Sequence, residues 1–312
     1  MHAVVDRSRF RGGTNLTADF YVGVTNNDWY GYLAAARAPE VNFWSPTATP
    51  FKVIPRGGLF LFKLHAPTNY IVGGGFLAGS MALGVRQAWE WFGQTNGCED
   101  FATFRRILRN ATPGQQITCT LLGDVFYWPQ KEWIPTPPSF RPNIVRGRGY
   151  TQAEDPAFWN AVSLRLRVRP VLEEGGGGER YGAPQMVLPR LGQGLFRGVV
   201  AEAYGKRCVV TGERVLPALE AAHIVPYAQG GTHTLENGLL LRSDLHRLFD
   251  QGYLTVDPDT RQLVVSRRMQ EEFHNGRAYF GLEGTPIASP AQGFPPPSKE
   301  NLVYHAQHIY VA

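Results

Sequence analysis

The chain has 312 residues, 43% of them hydrophobic, with a formal net charge of +5 and a pI of about 9.1. Its length suffices for two ordinary domains, and its composition is that of a globular protein with a sizeable core. The basic excess suits a polyanionic partner, although charge alone does not identify nucleic acid.

The sequence pattern argues against a membrane-spanning protein and against a small protein stabilised by disulfide bonds. No apolar run approaches the roughly 18 residues that a membrane span needs, so no membrane partner is expected. The N-terminus lacks the apolar segment of a secretory signal, which predicts a cytoplasmic protein. Three widely spaced cysteines, Cys98, Cys119 and Cys208, make neither a disulfide framework nor paired CxxC zinc knuckles. Free thiols are therefore expected.

The first 150 residues are predicted to form a mixed α and β unit. The predicted strands are Asp19–Val24, Leu59–Leu64 and Thr118–Trp128, which are rich in β-branched and aromatic residues. Apolar residues at helical spacing predict helices over Ala82–Phe92 and Phe101–Leu108. The glycines of Gly57–Gly58 and Gly73–Gly75 predict turns or bulges.

Four consecutive glycines, Gly175–Gly178, divide the sequence. Because glycine loses much conformational freedom inside a helix or strand, this run predicts a flexible linker. We place the linker at residues 151–179, between an N-terminal domain of residues 1–150 and a C-terminal domain of residues 180–312.

The C-terminal part alternates short helical and strand-like patterns. Helices are predicted at Leu195–Tyr204 and at Ser243–Phe249, the second stopped by Gly252. Strands are predicted at Arg207–Thr211 and Leu219–Ile224, with a later hairpin formed by Tyr253–Val256 and Leu263–Ser266. The tail from Pro295 is expected to be irregular until Leu302–His305.

Four polar residues of this part form a pattern suited to phosphodiester hydrolysis. Asn237 follows His223 by 14 positions, His246 follows Asn237 by 9, and Asp250 follows His246 by one helical turn. A neutral imidazole at a strand end can take a proton from water, so His223 is the predicted general base. His246 and Asp250 are predicted to hold a divalent metal ion, and Asn237 to brace the intervening loop as a third catalytic residue.

Each of these residues has an ordinary alternative when taken alone. A histidine beside apolar residues is usually a core or surface residue, and a His/Asp pair one turn apart is usually a surface pair. Asp244 fits the helix dipole, and His233 is expected to be solvated or to contact a phosphate. Four basic residues are either phosphate contacts or solvated charges: Lys206, Arg207, Arg242 and Arg247.

The segments Ala222-His223-Ile224-x-Pro226, Asn237-Gly238-Leu239-x-Leu241 and His246-x-Leu248-Phe249-Asp250 resemble the HNH nuclease family. The resemblance implies a ββα-metal fold that cuts DNA with one divalent ion, leaving a 5′-phosphate and a 3′-hydroxyl. Mg²⁺ or Mn²⁺ is expected, with Ni²⁺ or Co²⁺ as alternatives for a His/carboxylate site.

The sequence departs from the HNH pattern at two places. Many relatives carry an Asp or His before the general base, where this chain has Ala222. Glu220, on the same strand face, is the candidate substitute as a metal ligand, or else an ordinary strand charge. Cys208 is followed by Thr211 rather than a second cysteine, so no structural zinc is expected.

The order of motifs in the N-terminal part resembles the PUA-like superfamily, which includes EVE, ASCH and SRA domains. That resemblance implies a bent β-barrel with helices, and several such domains bind a flipped modified base. Stacking and hydrogen bonding would hold the base. The candidate pocket residues are Asn26, Asp28, Trp29, Tyr30, Asn42, Phe43 and Trp44. Each aromatic residue has a core position as its alternative.

Together the two resemblances predict an α+β protein that acts as a modification-dependent restriction endonuclease in antiviral defence. Its expected partner is double-stranded DNA carrying modified cytosine. Cutting both strands with one centre per chain would require a homodimer or two copies acting together. The alternatives are an HNH nuclease without modification dependence, and a PUA-like protein that binds RNA or DNA without cutting it.

Overall fold

The computed structural model describes residues 18–167, 189 and 191–312. The chain forms two compact units, Met1–Pro189 and Arg190–Ala312. The glycine run on which the linker prediction rests lies outside the described residues. Within the described ranges, no helix combines the length and apolarity that crossing a membrane requires.

The N-terminal unit is a large sheet with helices, as the α+β prediction states. Its strands are β1 (Phe20–Thr25), β2 (Val41–Ser45), β3 (Leu59–Leu64), β4 (Tyr70–Gly84), β5 (Gln116–Tyr127), β6 (Ile134–Pro135) and β7 (Gly147–Tyr150). Its helices are α1 (Asn27–Ala35), α2 (Val85–Phe92), α3 (Phe101–Ile107) and α4 (Pro156–Arg167).

The sheet follows the order β2-β5-β4-β3-β1-β7, with β6 paired to β4. Only β1 and β3 run parallel among the strand pairs that the structure describes; the others are antiparallel. The register of β4 against β5 shifts between Gly74 and Phe76 and again between Leu77 and Gly79, which bends the strand. A Cβ on Gly74 would lie 2.4 Å from the carbonyl oxygen of Phe60, so the close strand approach needs glycine.

Both faces of this sheet are covered by apolar side chains. One face holds a cluster that includes Phe20, Tyr150 and Phe158, in which the rings of Phe20 and Tyr150 stack at 5.4 Å. The other face holds a cluster around Trp29 and Phe62. The unit therefore has a core on each side of one sheet.

Two boundaries of the N-terminal unit differ from the prediction. Residues 82–84 continue β4, so α2 begins at Val85 rather than Ala82, because the ladder with β5 extends to Gly84. Helix α4 lies inside the predicted linker, and its Phe158 and Val162 are buried in the core. This core contact extends the N-terminal unit at least through α4.

The C-terminal unit surrounds a short hairpin with helices. Its elements are α5 (Gln193–Ala203), β8 (Leu219–His223), β9 (Gly238–Arg242), α6 (Ser243–Asp250), β10 (Leu254–Val256), β11 (Leu263–Val265), α7 (Arg268–Phe273), α8 (Arg277–Phe280) and α9 (Lys299–His308). Strands β8 and β9 pair antiparallel, as do β10 and β11.

Two predictions for the C-terminal unit are wrong. The predicted strand Arg207–Thr211 is a turn, closed by backbone hydrogen bonds from Gly212 to Cys208 and from Cys208 to Glu213. The tail is not irregular up to Leu302: α9 begins at Lys299, where the Ser298 hydroxyl accepts a hydrogen bond from the Asn301 amide and caps the helix.

A buried histidine ties α9 to the rest of the unit. His305 is 1% exposed, and its ring stacks on Phe249 at 3.7 Å. Its Nε2 lies 3.1 Å from the Phe249 carbonyl, so Nε2 carries the proton, and Nδ1 accepts from the Thr255 hydroxyl at 2.9 Å. Burial lowers the pKa of His305 from 6.5 to about 4.

The buried neutral form of His305 makes stability depend on pH. Between pH 6.5 and about 4 the unfolded chain binds a proton that the folded chain does not, so stability falls as the pH falls. We expect this residue to contribute a loss of about 2 kcal/mol between pH 7 and pH 5. Urea unfolding of the wild type and of His305→Gln at both pH values measures it. Equal pH dependence in the two proteins would contradict this assignment.

Candidate active site

The site is built on the β8–β9 hairpin and the helix that follows it. In the antiparallel register Glu220 pairs with Leu241, and His223 pairs with Gly238. Helix α6 begins at Ser243, immediately after β9 ends at Arg242. The hairpin thereby presents Glu220 and His223 on one strand, while α6 presents His246 and Asp250.

Asn237 closes the loop between β8 and β9. Its side chain is 1% exposed. Its Oδ1 accepts from the Val225 amide at 2.8 Å, and its Nδ2 donates to the carbonyls of Val225 at 2.9 Å and Thr232 at 3.0 Å. The Asn237 carbonyl also accepts from the Ile224 amide at 2.9 Å. One residue therefore fixes the chain on both sides of the loop.

The closed loop leaves no space at two glycines. A Cβ on Gly231 would lie 1.9 Å from the Val225 carbonyl oxygen, a backbone atom that cannot move aside freely. A Cβ on Gly238 would lie 2.6 Å from Val200 and 3.1 Å from the ring of Phe196. Close packing therefore requires glycine at both positions.

His223 lies at the end of β8 against two rings. Its imidazole stacks on Phe196 of α5, with centroids 4.1 Å apart and planes at 10°. Its Nε2 lies 2.9 Å from Nδ1 of His233, in the loop. Burial, together with the charges of His233 and His246, lowers the pKa of His223 from 6.5 to about 4. The imidazole is therefore neutral near pH 7, as a general base must be.

His246 lies between two carboxylates. Its Nδ1 is 2.6 Å from Oε2 of Glu220, and its Nε2 is 3.3 Å from Oδ2 of Asp250, one turn along α6. Partial desolvation raises the pKa of half-exposed Asp250; the charge of His246 opposes this rise, and the charge of Glu220 adds to it. Burial alone would also raise the pKa of Glu220, but hydrogen bonds from His246 and Ser243 outweigh it and lower the pKa.

The structure gives the four candidate phosphate-binding residues different settings. Arg242 is held by Asp244 through two hydrogen bonds of 2.6 and 2.7 Å, so its charge is largely matched. Arg247 is exposed and lines an open cleft of about 490 Å³ with Asp244 and Tyr279. Arg207 is exposed and Lys206 half-buried in the turn that follows α5.

Most candidate base-pocket residues have structural partners in the N-terminal unit. Trp29, Tyr30 and Asn42 are 3%, 7% and 0% exposed. Asn42 donates to Asn96 at 2.9 Å, and the Tyr30 hydroxyl donates to the Val72 carbonyl at 3.1 Å. These three side chains belong to the core. For Trp29 and Tyr30, a core position was the alternative to a base-pocket role.

The other four candidates are more accessible, and three of them have clear local roles. Asn26 caps α1, because its Oδ1 accepts from the amides of Asp28 and Trp29. Phe43 packs edge-on against Trp29, and the Trp44 indole N–H donates to the Asn96 carbonyl at 2.9 Å. Asp28 is exposed in the first turn of α1, where a carboxylate favours the helix dipole.

Comparison with known proteins identifies the hairpin region. Residues 208–257 match the family described as HNH endonuclease. The C-terminal unit contains an HNH endonuclease domain. The prediction of a DNA-cleaving hydrolase is thereby confirmed, and a nucleic-acid partner follows from it. The matched stretch covers the turn after α5, the hairpin, α6 and β10.

The remaining comparisons concern solved and curated proteins. The chain is similar to the crystal structure of ASCH from Zymomonas mobilis, with 13% identity over 47% of this chain and 95% of that one, at a TM-score of 0.35. It is also similar to a mutant of the same protein, with 16% identity over 47% and 98% of the two chains, again at 0.35. No curated protein matches the chain.

HNH nucleases generally use a divalent metal ion. The spacing of the possible donor atoms in the HNH domain can be compared with the spacing that such an ion requires. No cluster of three or more His, Cys, Asp or Glu side chains suited to a metal occurs within residues 18–167 and 191–312. Nε2 of His246 and Oδ2 of Asp250 nevertheless lie 3.3 Å apart. Adjacent ligands of an octahedral ion at about 2.1 Å are separated by about 3 Å. The pair therefore fits two positions of one ion, with the others left for water and phosphate oxygens.

Removing the Asn237 side chain should open the β8–β9 loop. Asn237→Ala leaves the buried amide and carbonyl of Val225 without partners, so we expect the C-terminal unit to lose about 2–4 kcal/mol of unfolding free energy. Urea unfolding measures this loss, with the exposed Asn275→Ala as a matched control expected to stay within about 0.5 kcal/mol. Similar losses in the two variants would contradict the bracing role.

Proposed function

We propose that the protein is a modification-dependent DNA endonuclease: the N-terminal unit recognises modified cytosine, and the HNH domain hydrolyses the DNA backbone nearby. The observation that carries the nuclease half is the braced loop, with His223 neutral at one end and the His246–Asp250 pair on the following helix. A role in restricting foreign DNA follows from the modification dependence.

In the proposed reaction His223 takes a proton from water. The water oxygen attacks phosphorus while the bond to the 3′-oxygen breaks, and the 3′-oxygen takes a proton from solvent, which leaves a 5′-phosphate and a 3′-hydroxyl. Asn237 contributes by holding the loop, so that the imidazole keeps its position when DNA binds. Arg247, which is exposed on α6, would contact a backbone phosphate.

His246 and Asp250 would hold the divalent ion, which supplies charge stabilisation at the phosphate and the leaving oxygen. Glu220 contacts Nδ1 of His246, whereas Asp250 contacts Nε2 on the other edge of the ring. We therefore assign Glu220 to orienting the His246 ring rather than to binding the ion. Carboxylates that accept from a ligating histidine commonly fix its tautomer and direction.

The reader half is supported by the order of sequence motifs in the N-terminal unit. Burial of Trp29, Tyr30 and Asn42 restricts direct contact with a base to residues with exposed atoms, such as Asp28. The same burial favours a second candidate function, an HNH nuclease whose N-terminal unit binds DNA without reading a modification.

Matched plasmids separate these functions. Purified protein with Mg²⁺ or Mn²⁺ should cut plasmid carrying modified cytosine and spare the unmodified plasmid, and His223→Ala should lower the rate by at least about 100-fold. His274→Asn, an exposed histidine of the same unit, serves as the control. Equal cutting of both plasmids would support the second candidate. Failure to cut either plasmid with any divalent ion would refute the nuclease.

Metal binding can be tested without DNA cleavage. Isothermal titration with Mn²⁺ should show binding abolished in His246→Ala and weakened by about 10- to 100-fold in Glu220→Ala, because Glu220 only orients the ring. The exposed Glu271→Ala is the control and should match the wild type. Loss of binding in Glu220→Ala as complete as in His246→Ala would make Glu220 a direct ligand.

A further inference from the structure

His233 has a place in the HNH domain that the proposed reaction does not use. It lies in the loop between β8 and β9, half-buried, with Nδ1 at 2.9 Å from Nε2 of His223. The ring centroids are 4.9 Å apart and the planes are inclined by 58°, so the two rings meet through their nitrogens rather than by stacking. The sequence predicted a solvated residue or a phosphate contact for His233, and the structure places it against the general base instead.

Two further aromatic rings hold this pair from outside. Tyr227 stacks on His233 with centroids 4.7 Å apart and planes at 13°, and Phe196 stacks on His223 at 4.1 Å and 10°. Phe196 is buried in α5, whereas Tyr227 is 67% exposed. The two imidazoles therefore lie between a core ring and a surface ring, and their mutual orientation is constrained on both sides.

Only one proton fits between Nε2 of His223 and Nδ1 of His233. The ring that donates this proton therefore determines the tautomer of both neutral rings. If His233 donates, the lone pair of Nε2 is consumed and the single proton of neutral His223 is on Nδ1. His223 then has no free nitrogen to accept a proton from water. If His223 donates through Nε2, its Nδ1 keeps a free lone pair and can act as a base.

We propose that His233 is a positioning residue whose Nδ1 accepts the Nε2–H of His223 and leaves Nδ1 of His223 as the nitrogen that takes the proton from water. This inference rests on the proposed role of His223 as the general base. It adds the identity of the reacting nitrogen and the group that selects it.

The proton count is balanced throughout the step. Nδ1 of His223 gains the proton of the attacking water, and the ring becomes an imidazolium with a proton on each nitrogen. The Nε2–H bond to His233 then becomes charge-assisted and stronger, while His233 stays neutral with its own proton on Nε2. When the phosphodiester bond breaks, the 3′-oxygen takes a proton from solvent water, and Nδ1 of His223 then releases its proton to solvent. His233 acts as the orienting partner does in a catalytic triad.

The tautomer of His223 can be read without any cleavage assay. Nitrogen NMR of the ¹⁵N-labelled full chain at pH 7.5, with His223 assigned by its loss in His223→Ala, should show a protonated Nε2 and a bare Nδ1. His233→Asn should keep this tautomer, because its Oδ1 occupies the position of Nδ1 and accepts the same hydrogen bond. His233→Ala should give a mixture of tautomers. A protonated Nδ1 in the wild type would overturn the proposal.

Nicking kinetics supply the second readout. His233→Ala should lower kcat by about 10- to 100-fold with little change in KM for plasmid, whereas His233→Asn should stay within about threefold of the wild type. His274→Asn is again the control. A kcat equal in His233→Ala and the control, or a rise in KM alone, would overturn the proposal in favour of no role or of a phosphate contact.

The two readouts separate failure of this inference from failure of the nuclease. Suppose that the wild-type chain cuts no DNA but its His223 carries the proton on Nε2. This result would support the hydrogen bond from His223 to His233 and would contradict only the role of His223 as general base. A chain that cuts DNA while His233→Asn is as slow as His233→Ala overturns the acceptor role and leaves the nuclease intact. The asparagine variant also keeps the test valid if the alanine variant fails to fold.

Discussion

The side-chain amide of Asn237 joins two parts of a loop that would otherwise be free to separate. Its carbonyl and amino groups bind both backbone groups of Val225, and a third bond reaches Thr232. Because the amide is buried, each bond replaces contact with water, and opening the loop would leave polar groups unpaired in the core. The positions of His223 at one end of the loop and of His233 within it depend on this closure. The geometry of the candidate active site therefore depends on the hydrogen bonds of one uncharged residue, Asn237.

The second constraint is electrostatic and acts on α6. His246 has a carboxylate at each ring nitrogen, and burial works against the charge of both acids. The pKa of Asp250 is raised by burial and by Glu220, so a divalent cation would relieve a repulsion that the protein itself creates. In contrast, the neighbourhood of His223 disfavours positive charge. The surroundings of His246 and Asp250 thus favour a bound cation, whereas the surroundings of His223 favour a neutral imidazole.

Local patterns made β8 and α6 predictable from the sequence, because the motif residues follow strand and helix spacing. Strand β9 was not predicted from its residue pattern, since Leu239–Leu241 is a continuous apolar run that is buried, in contact with α5 and α6, and lacks the alternation of a half-buried strand. The contact of His233 with His223 arises from loop closure, so no spacing rule reveals it. For Trp29 and Tyr30 the sequence could not separate a ligand pocket from a core, because both uses select the same aromatic residues. Helix α4 lies within the predicted linker because that prediction rested on the glycine run alone.

The stretch that matches the HNH family is smaller than the structure that supports it. Phe196, which stacks on His223, belongs to α5 and precedes that stretch, while His305 of α9 follows it. His305 binds the carbonyl of Phe249, the residue next to Asp250, and the Val311 amide donates to the Gly252 carbonyl at 3.0 Å. A fragment limited to residues 208–257 would thus lack the ring that stacks on His223 and the histidine that anchors the end of α6. Transplanting this nuclease into another protein would require the flanking helices to be carried along.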